Sequence, residues 1–171
     1  MTRHPSLIRL RPVEPEDLQL LYDIENSPEL WDAEESDAPY SKYALRSYIA
    51  AMESVHACGQ LRLVAEEAAT GRPVGLADLN AYSPRDAHAE VGIAILAEMR
   101  GRGYGAAALA RLEEIAADRL RVHTLLARVG EGNTLSQRLF LGAGYIRTAT
   151  LCGWHYTRGA YEDVLLFQKF F

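Results

Sequence analysis

The segment Met99–Glu114, MRGRGYGAAALARLEE, places three glycines and two arginines before an alanine-rich helix. Glycine begins a helix poorly, and an arginine beside a helix N-terminus opposes the helix dipole. Glycines do let successive backbone N–H groups turn into one concavity that can hold an anion at a helix N-terminus. Arginines add charge-assisted hydrogen bonds to phosphate oxygens. The segment therefore predicts a pyrophosphate-binding loop, although the same residues also suit a solvent-exposed turn.

A dinucleotide-binding fingerprint is a second interpretation of this segment, because Gly101, Gly103 and Ala106 fit the pattern G-x-G-x-x-A. An acidic residue, Glu131, also follows the next predicted strand. The fingerprint should follow its strand directly, however, whereas residues 97–100 intervene here. The chain beyond Glu131 is also too short for the second half of that fold. The residues favour the pyrophosphate loop.

Hydrophobic periodicity and turn residues predict a mixed α/β sheet in a single domain over residues 1–171. Acidic residues around Pro15 begin one helix, and Asn26-Ser27-Pro28 ends it. The predicted order is strand, two helices, three strands, helix, strand, helix and two strands. The predicted strands are 7–10, 61–66, 74–82, 88–96, 124–129, 145–156 and 161–168, and the helices before and after the fifth strand are 105–120 and a short one capped by Asn133.

Charge and cysteine content narrow the class of protein. A formal charge of −5 over 171 residues argues against a nucleic-acid partner, which usually meets a basic surface. Cys58 and Cys152 share no metal-ligand spacing, so we expect two reduced thiols and no metal. We find no apolar run that could span a bilayer and no secretory h-region, so we expect a cytoplasmic protein without a membrane partner.

Three segments together resemble the GNAT N-acetyltransferase superfamily. Arg100–Gly105 is similar to its R/Q-x-x-G-x-G/A pyrophosphate loop, and Glu90–Ile95 stands where its central strand lies. Asn133–Ser136, followed by Leu139-Phe140 and Gly144-Tyr145, resembles its N-x-x-S/A…G-F segment. Each motif alone has low specificity. Their order and spacing, over nearly the whole chain, are specific.

The two ends of the chain narrow this resemblance. Residues 8–18 and 159–164 resemble the branch that contains ribosomal-protein N-terminal acetyltransferases and spermidine acetyltransferases. The resemblance implies direct transfer of acetyl from acetyl-CoA to a primary amine, on a polyamine-like small molecule or a peptide N-terminus. Relatives are often dimers, which suggests a homodimer. The implied cofactor residues are Ile93, Ala94 and Ile95 for the pantetheine arm, Arg100, Gly101, Arg102, Gly103, Tyr104, Gly105 and Ala106 for the pyrophosphate, and Asn133, Ser136, Leu139 and Phe140 for the thiol end.

Such a transfer needs a base, because alkyl amines have pKa values near about 10.4 and are protonated at neutral pH. Glu90 is the first candidate, since many family members carry a glutamate there, and His88 on the same strand face is the second. Both residues also suit an ordinary half-exposed strand. Many relatives carry a tyrosine at Phe140 to protonate the departing sulfur. With no hydroxyl there, Ser136 is a candidate donor, and Tyr145 and Tyr156 are further candidates.

An acidic loop, WDAEESD at residues 31–37, suggests a cationic acceptor. Its carboxylates would attract an ammonium group, and its tryptophan could stack on a cation. The loop also suits a solvated charge run. In the family this region borders the acceptor groove, and the closing hairpin offers an opposite wall through Trp154, His155 and Tyr156. The candidate acceptor contacts are Trp31, Glu34, Glu35, Trp154 and Tyr156.

The sequence also allows a second hypothesis, a protein that binds acyl-CoA without catalysing a reaction. An acyl-CoA-binding regulatory module would keep the pyrophosphate loop and would not need a proton donor. Phe140, which has no hydroxyl, favours that alternative. Release of free thiol from acetyl-CoA in the presence of an amine distinguishes an enzyme from such a module.

Overall fold

A computed structural model describes residues 7–28, 38–157 and 159–171. In these residues, seven strands form one mixed sheet, which confirms the predicted α/β class. The strands are β1 (Ile8–Pro12), β2 (Leu61–Glu67), β3 (Pro73–Ser83), β4 (His88–Ile95), β5 (Thr124–Gly130), β6 (Ile146–Thr157) and β7 (Ala160–Phe170). Their order across the sheet is β1-β2-β3-β4-β5-β7-β6, and all neighbours are antiparallel except β4 and β5.

The helices follow the predicted order, with one short addition. That addition, Val55–Cys58, has four residues and ends at Gly59 with a φ of 70°, so it is too short to show a helical period. The predicted helix 105–120 is an α-helix that continues into a π-helical turn at Ile115–Arg119. The described α-helices are α1 (Leu18–Glu25), α2 (Lys42–Ala50), α3 (Val55–Cys58), α4 (Tyr104–Glu114) and α5 (Thr134–Gly142).

One face of the sheet, called here the α4 face, carries α4 and α5 and is mostly apolar, with a partly buried ion pair between Glu113 and Lys169. Leu109 and Leu112 of α4 are fully buried in the same cluster as Ala89 and Val91 of β4. Successive strand residues alternate between faces, so these two β4 positions point to one side. Phe140 of α5 joins the cluster. This face holds α4 in place, and with it the glycine segment before that helix.

The opposite face, called here the α1 face, carries α1 and α2, and buried ions link α1 to the sheet. Arg11 donates to both carboxylate oxygens of Asp17, at 2.7 and 2.8 Å, and with Arg9 it also contacts Glu66. Burial alone would raise the pKa of Asp17 and of Glu66, but the hydrogen bonds from these arginines hold both below their ordinary values. The cluster fixes the start of α1 on β1 and β2.

A second ion cluster holds the end of α1. Arg62 donates to the two oxygens of Asp78 at 3.1 and 2.9 Å and to Glu25 at 2.5 Å. The Arg62 side chain is only 14% exposed. Burial raises the pKa of Asp78 above its ordinary value, although the charge of Arg62 opposes that shift. Both ends of α1 are thus attached to the sheet through arginines.

The sequence also led to expectations about membrane-spanning segments, the two cysteines and metal-binding groups. None of the helices in the described ranges has the length and apolar character needed to cross a membrane. Cys58 and Cys152 are both free and exposed. Within those same ranges, no group of three or more His, Cys, Asp and Glu side chains is arranged to hold a metal ion.

Candidate active site

The central feature of the sheet is the point where β4 and β5 part. The two strands pair only over His88–Glu90 and Thr124–Leu126. Beyond these residues β4 stays with β3 as far as Ile95, and β5 stays with β7 as far as Gly130. A cavity of about 570 Å³ lies between the diverging strands, lined by residues of both. This volume is typical of small-molecule and cofactor sites.

The glycine segment forms one end of the cavity. Gly101 and Gly103 have φ angles of 73° and 81°, and Gly103 is the N-cap residue of α4. The first helical hydrogen bond here runs from the Ala107 amide to the Gly103 carbonyl, at 3.0 Å. The N–H groups of residues 104–106 therefore have no acceptor within the helix. Gly101, Gly103, Tyr104 and Gly105 line the cavity, whereas the side chain of Ala106 is exposed and does not.

The two arginines of the loop have different surroundings. Arg100 lines the cavity, and its Nε donates to the carbonyl oxygen of Ile95 at 3.0 Å. Arg102 lies outside the cavity lining, and its Nη2 donates to the Glu98 carbonyl at 3.3 Å. Of the two predicted phosphate-binding side chains, only Arg100 is at the cavity.

The N-terminus of α5 borders the opposite side. Asn133 caps this helix, with its Oδ1 accepting from the Ser136 amide at 3.1 Å, as its sequence position predicts. Asn133, Ser136 and Leu139 line the cavity. Phe140 does not, because it points into the α4-face core and packs edge-to-face against Tyr145 with 5.0 Å between ring centroids.

The candidate catalytic residues do not come together. Glu90 is the last β4 residue that pairs with β5, and it is half-buried just beyond the cavity lining. His88, at the start of β4, is exposed. Tyr145 is buried in the α4-face core, where burial and then the negative charge of Glu113 raise its pKa. Ser136 is the member of this set that lines the cavity.

The candidate acceptor contacts divide into two groups. Trp31, Glu34 and Glu35 lie outside the described residues. Trp154 and Tyr156 lie on β6 and are 56% and 62% exposed, and neither lines the cavity. Because strand residues alternate between faces, the residue between them does line it.

That residue, His155, was predicted only as part of the opposite wall, and the polar group to which it belongs was not predicted from the sequence. His155 of β6 is paired in register with Glu162 of β7, and both line the cavity together with Arg128 of β5. Glu162 Oε2 accepts a weak hydrogen bond from the Gly132 amide at 3.4 Å. A Cβ on Gly130 would lie 2.5 Å from Glu162 Oε1. Gly130 at the end of β5 and Gly132 just after it were the available signal, since glycine in a strand marks close approach by another group.

Solved structures share this fold at low sequence identity. A spermidine N-acetyltransferase from Vibrio cholerae in complex with CoA and spermine is 22% identical, and the match covers 97% of this chain and 96% of that one with a TM-score of 0.89. A dodecameric structure of spermidine N-acetyltransferase from Vibrio cholerae is 23% identical, and the match covers 97% of this chain and 95% of that one with a TM-score of 0.82. A structure of the Vibrio cholerae enzyme in complex with manganese ions is 23% identical, and the match covers 96% of this chain and 93% of that one with a TM-score of 0.81.

The family of the chain is shown by its sequence match to a family model. No curated protein matches the sequence significantly. Residues 8–146 match the family described as Acetyltransferase (GNAT) domain, which is most of the 171 residues. The match includes β4, the glycine segment and α5, the elements that carried the resemblance in the sequence. The predicted fold and enzyme class are confirmed, and the chain belongs to the GNAT acetyltransferase family.

Proposed function

We propose that this protein transfers the acetyl group of acetyl-CoA to a primary amine of a small cationic molecule of the polyamine type. The observation that carries the proposal is the cavity between the parted strands β4 and β5, which ends at the N-terminus of α4. An extended thioester can lie between the strands while a pyrophosphate meets the free N–H groups of residues 104–106. The Vibrio cholerae enzyme of the same fold, in complex with CoA and spermine, supports both ligands.

The cofactor contacts of this proposal are largely backbone contacts. Ile93, Ala94 and Ile95 line the cavity on the side of β4 that has no strand partner, so their main-chain groups suit the amides of a pantetheine arm. The turn at Gly101 and Gly103 presents N–H groups to the pyrophosphate, with Arg100 adding charge. The acetyl thioester would lie beside Asn133, Ser136 and Leu139.

A cationic acceptor is supported by charge. The chain has a formal charge of −5. Carboxylates attract ammonium groups. The contribution of Trp31, Glu34 and Glu35 stays a prediction from the sequence.

The reaction forms one bond and breaks one. The uncharged amine nitrogen attacks the thioester carbonyl carbon, a C–N bond forms, and the C–S bond breaks to release the CoA thiolate. The proton lost by the amine needs an acceptor, and Glu90 stays the predicted one on β4. Ser136 is the predicted donor to the thiolate. A tyrosine hydroxyl at position 140 is absent in this chain, so we expect the thiolate to leave with at most this weaker assistance.

A thiol-release assay tests the proposal. The protein is mixed with acetyl-CoA and a panel of spermidine, spermine, N-terminal peptides and aminoglycosides, and free CoA thiol is followed. We expect release with a polyamine and none without an amine. Tight CoA binding with no release for any amine would favour the regulatory module, and no CoA binding would overturn the cavity assignment.

We also infer that the chain self-associates, as the resemblance suggested. The dodecameric Vibrio cholerae structure supports assembly in this fold. β6 is an edge strand in the described sheet, and Trp154, Tyr156 and Tyr161 are exposed beside it. Such an edge favours pairing with another chain. Light scattering measures the mass in solution, and a monomer at micromolar concentration would contradict the inference.

A further inference from the structure

We propose that Glu162, positioned with His155, accepts the proton of the acceptor amine. This inference rests on the acetyl transfer proposed above and names a catalytic residue for it. It assigns that role to the hairpin of β6 and β7 in place of the β4 glutamate that the sequence favoured.

The sheet register brings Glu162 to the α1 face of the sheet. Glu90 pairs with Leu126 on β5, and Gly130, four residues further along β5, lies on the same side. Gly130 pairs with Val164 on β7, and Glu162 is two residues from Val164. Both carboxylates therefore point to one face. Glu90 is at the closed end of the gap between β4 and β5, whereas Glu162 lines the cavity itself.

Two glycines clear the space that the Glu162 carboxylate occupies. A Cβ on Gly130 would lie 2.5 Å from Oε1, and a Cβ on Gly132 would lie 3.3 Å from Oε2. The Gly132 amide also donates to Oε2, at 3.4 Å. Gly132 directly precedes Asn133, which together with Ser136 borders the expected thioester position. The carboxylate is thus held at the end of the cavity where the new bond forms.

His155 lies beside this carboxylate. The two residues are partners in the β6–β7 register, and directly opposed strand residues have Cβ atoms about 4.5–5.5 Å apart. Both are half-buried. Arg128 and Arg100 are the cations that line the same cavity. An imidazole next to a carboxylate can orient it and can pass its proton on to solvent.

The proton balance of this step is complete. An ammonium acceptor gives one proton to a Glu162 oxygen and becomes a neutral amine. The nitrogen lone pair attacks the acetyl carbon, the C–S electron pair leaves on sulfur, and the second amine proton is released as the amide forms. One of these protons neutralises the thiolate, and the other goes to solvent.

Glu162→Gln is the main test, because it keeps the shape of the side chain and removes its basicity. At pH 7 we expect turnover of the best amine to fall by about 10²- to 10⁴-fold, which is the usual contribution of a general base. We expect CoA affinity, measured by calorimetry, to stay within about twofold. At pH 10 the loss should shrink, since more of the amine is then already neutral. Glu114→Gln, an exposed carboxylate on α4, is the matched control.

Two further variants separate catalysis from structure. Gly130→Ala moves the carboxylate without removing it, and we expect it to lower turnover with CoA affinity retained. His155→Gln should lower turnover in the wild-type chain and have little added effect in Glu162→Gln, because residues that act as a unit are not additive.

Three results would overturn the inference. The first is a Glu162→Gln protein that keeps at least half of wild-type turnover. The second is a Glu162→Gln protein that loses turnover and CoA affinity by equal factors. The third is a loss of turnover in Glu162→Gln that is the same at pH 7 and pH 10. A large loss in Glu90→Gln together with a small one in Glu162→Gln would return the role to β4. Failure of the wild-type chain to bind CoA would instead contradict the proposed function itself.

Discussion

The two faces of the sheet are stabilised by different physical means. On the α4 face, leucine, valine and alanine side chains from helix and strand exclude water, with Leu109 and Leu112 fully buried. On the α1 face, Arg11 and Arg62 each hold two carboxylates and attach the two ends of α1 to the sheet. The apolar face can be repacked by any residues of suitable volume. The ionic face depends on particular partners.

The two faces also have different roles in the proposed function. The α4 face has only to keep α4 and its glycine segment in position for the cofactor. The α1 face carries the polar side chains at the proposed acceptor end of the cavity, including Glu162 and His155. Ionic attachment of α1 allows charged side chains near a site that must bind a charged amine.

The largest expected effect is on the ionic face. Arg62→Met leaves Glu25 and Asp78 buried without their partner, and removing one member of a buried ion pair typically costs about 3–5 kcal/mol. We expect a loss of that size in the free energy of urea-induced unfolding. Arg62→Lys, which keeps the charge, should recover part of it. A loss below about 1 kcal/mol for Arg62→Met would show that these ions do not hold α1.

A matched deletion on the apolar face should cost slightly less and respond differently to pH. Leu112→Ala removes a fully buried side chain, and such changes cost about 2–5 kcal/mol. Because no charge is involved, we expect the same loss at pH 7 and pH 4. A strong pH dependence would mean that the two faces are coupled, which a double variant with Arg62→Met would measure.

A smaller, pH-dependent effect is expected at Asp17. Its pKa is lowered in the folded state, so the Arg11 interaction stabilises the protein above the unfolded pKa of about 3.9 and is lost as pH falls through the folded value. Asp17→Asn should therefore destabilise by about 1–2 kcal/mol at pH 7. The two proteins should converge in stability as the pH is lowered below 4. Asp78 has the opposite sign and a different pH window: its pKa is raised in the folded state, so its ionisation costs stability as pH rises from the unfolded pKa of about 3.9 through the higher folded value.

The smallest expected effect concerns the glycine segment, which the α4 face holds in place. Gly103 has a φ of 81°, and a Cβ there would meet only Leu7 Cδ1, at 3.8 Å. The constraint on this position is therefore backbone conformation, which costs a non-glycine residue about 1 kcal/mol, and not crowding. We expect Gly103→Ala to weaken CoA binding about fivefold by turning the N–H groups away. Gly142→Ala, where a Cβ has open space, is the control and should bind CoA normally.

The sequence predicted the elements better than the site. The glycine segment, the cap at Asn133 and the seven strands have local signals, because turn residues and alternation act within a few positions. Local signals do not show which residues of the predicted acceptor wall line the cavity. Trp154, His155 and Tyr156 were considered together, but neighbouring strand residues face opposite sides, and the histidine is the one at the cavity.

Other features depend on contacts far apart in the chain. Glu162 reaches the cavity only because β7 lies next to β5, which the linear order does not reveal. Tyr145 follows Gly144 as in the family motif, yet the fold buries it beside Glu113. Arg9 and Arg11 were noted as part of a branch signature, and their role as partners of Glu66 and Asp17 needed the sheet register.

The short contact between β4 and β5 has an energetic consequence. Only three residue pairs, from His88 to Glu90, join the first four strands of the sheet to the last three. A pantetheine arm lying in the gap would supply main-chain hydrogen bonds that no strand supplies, so the ligand would complete the sheet as well as react in it. Occupancy at a hundred times Kd adds about 2.7 kcal/mol of folding free energy. Bound acetyl-CoA would therefore stabilise the fold across this gap, in addition to the apolar core that already joins the two parts of the sheet.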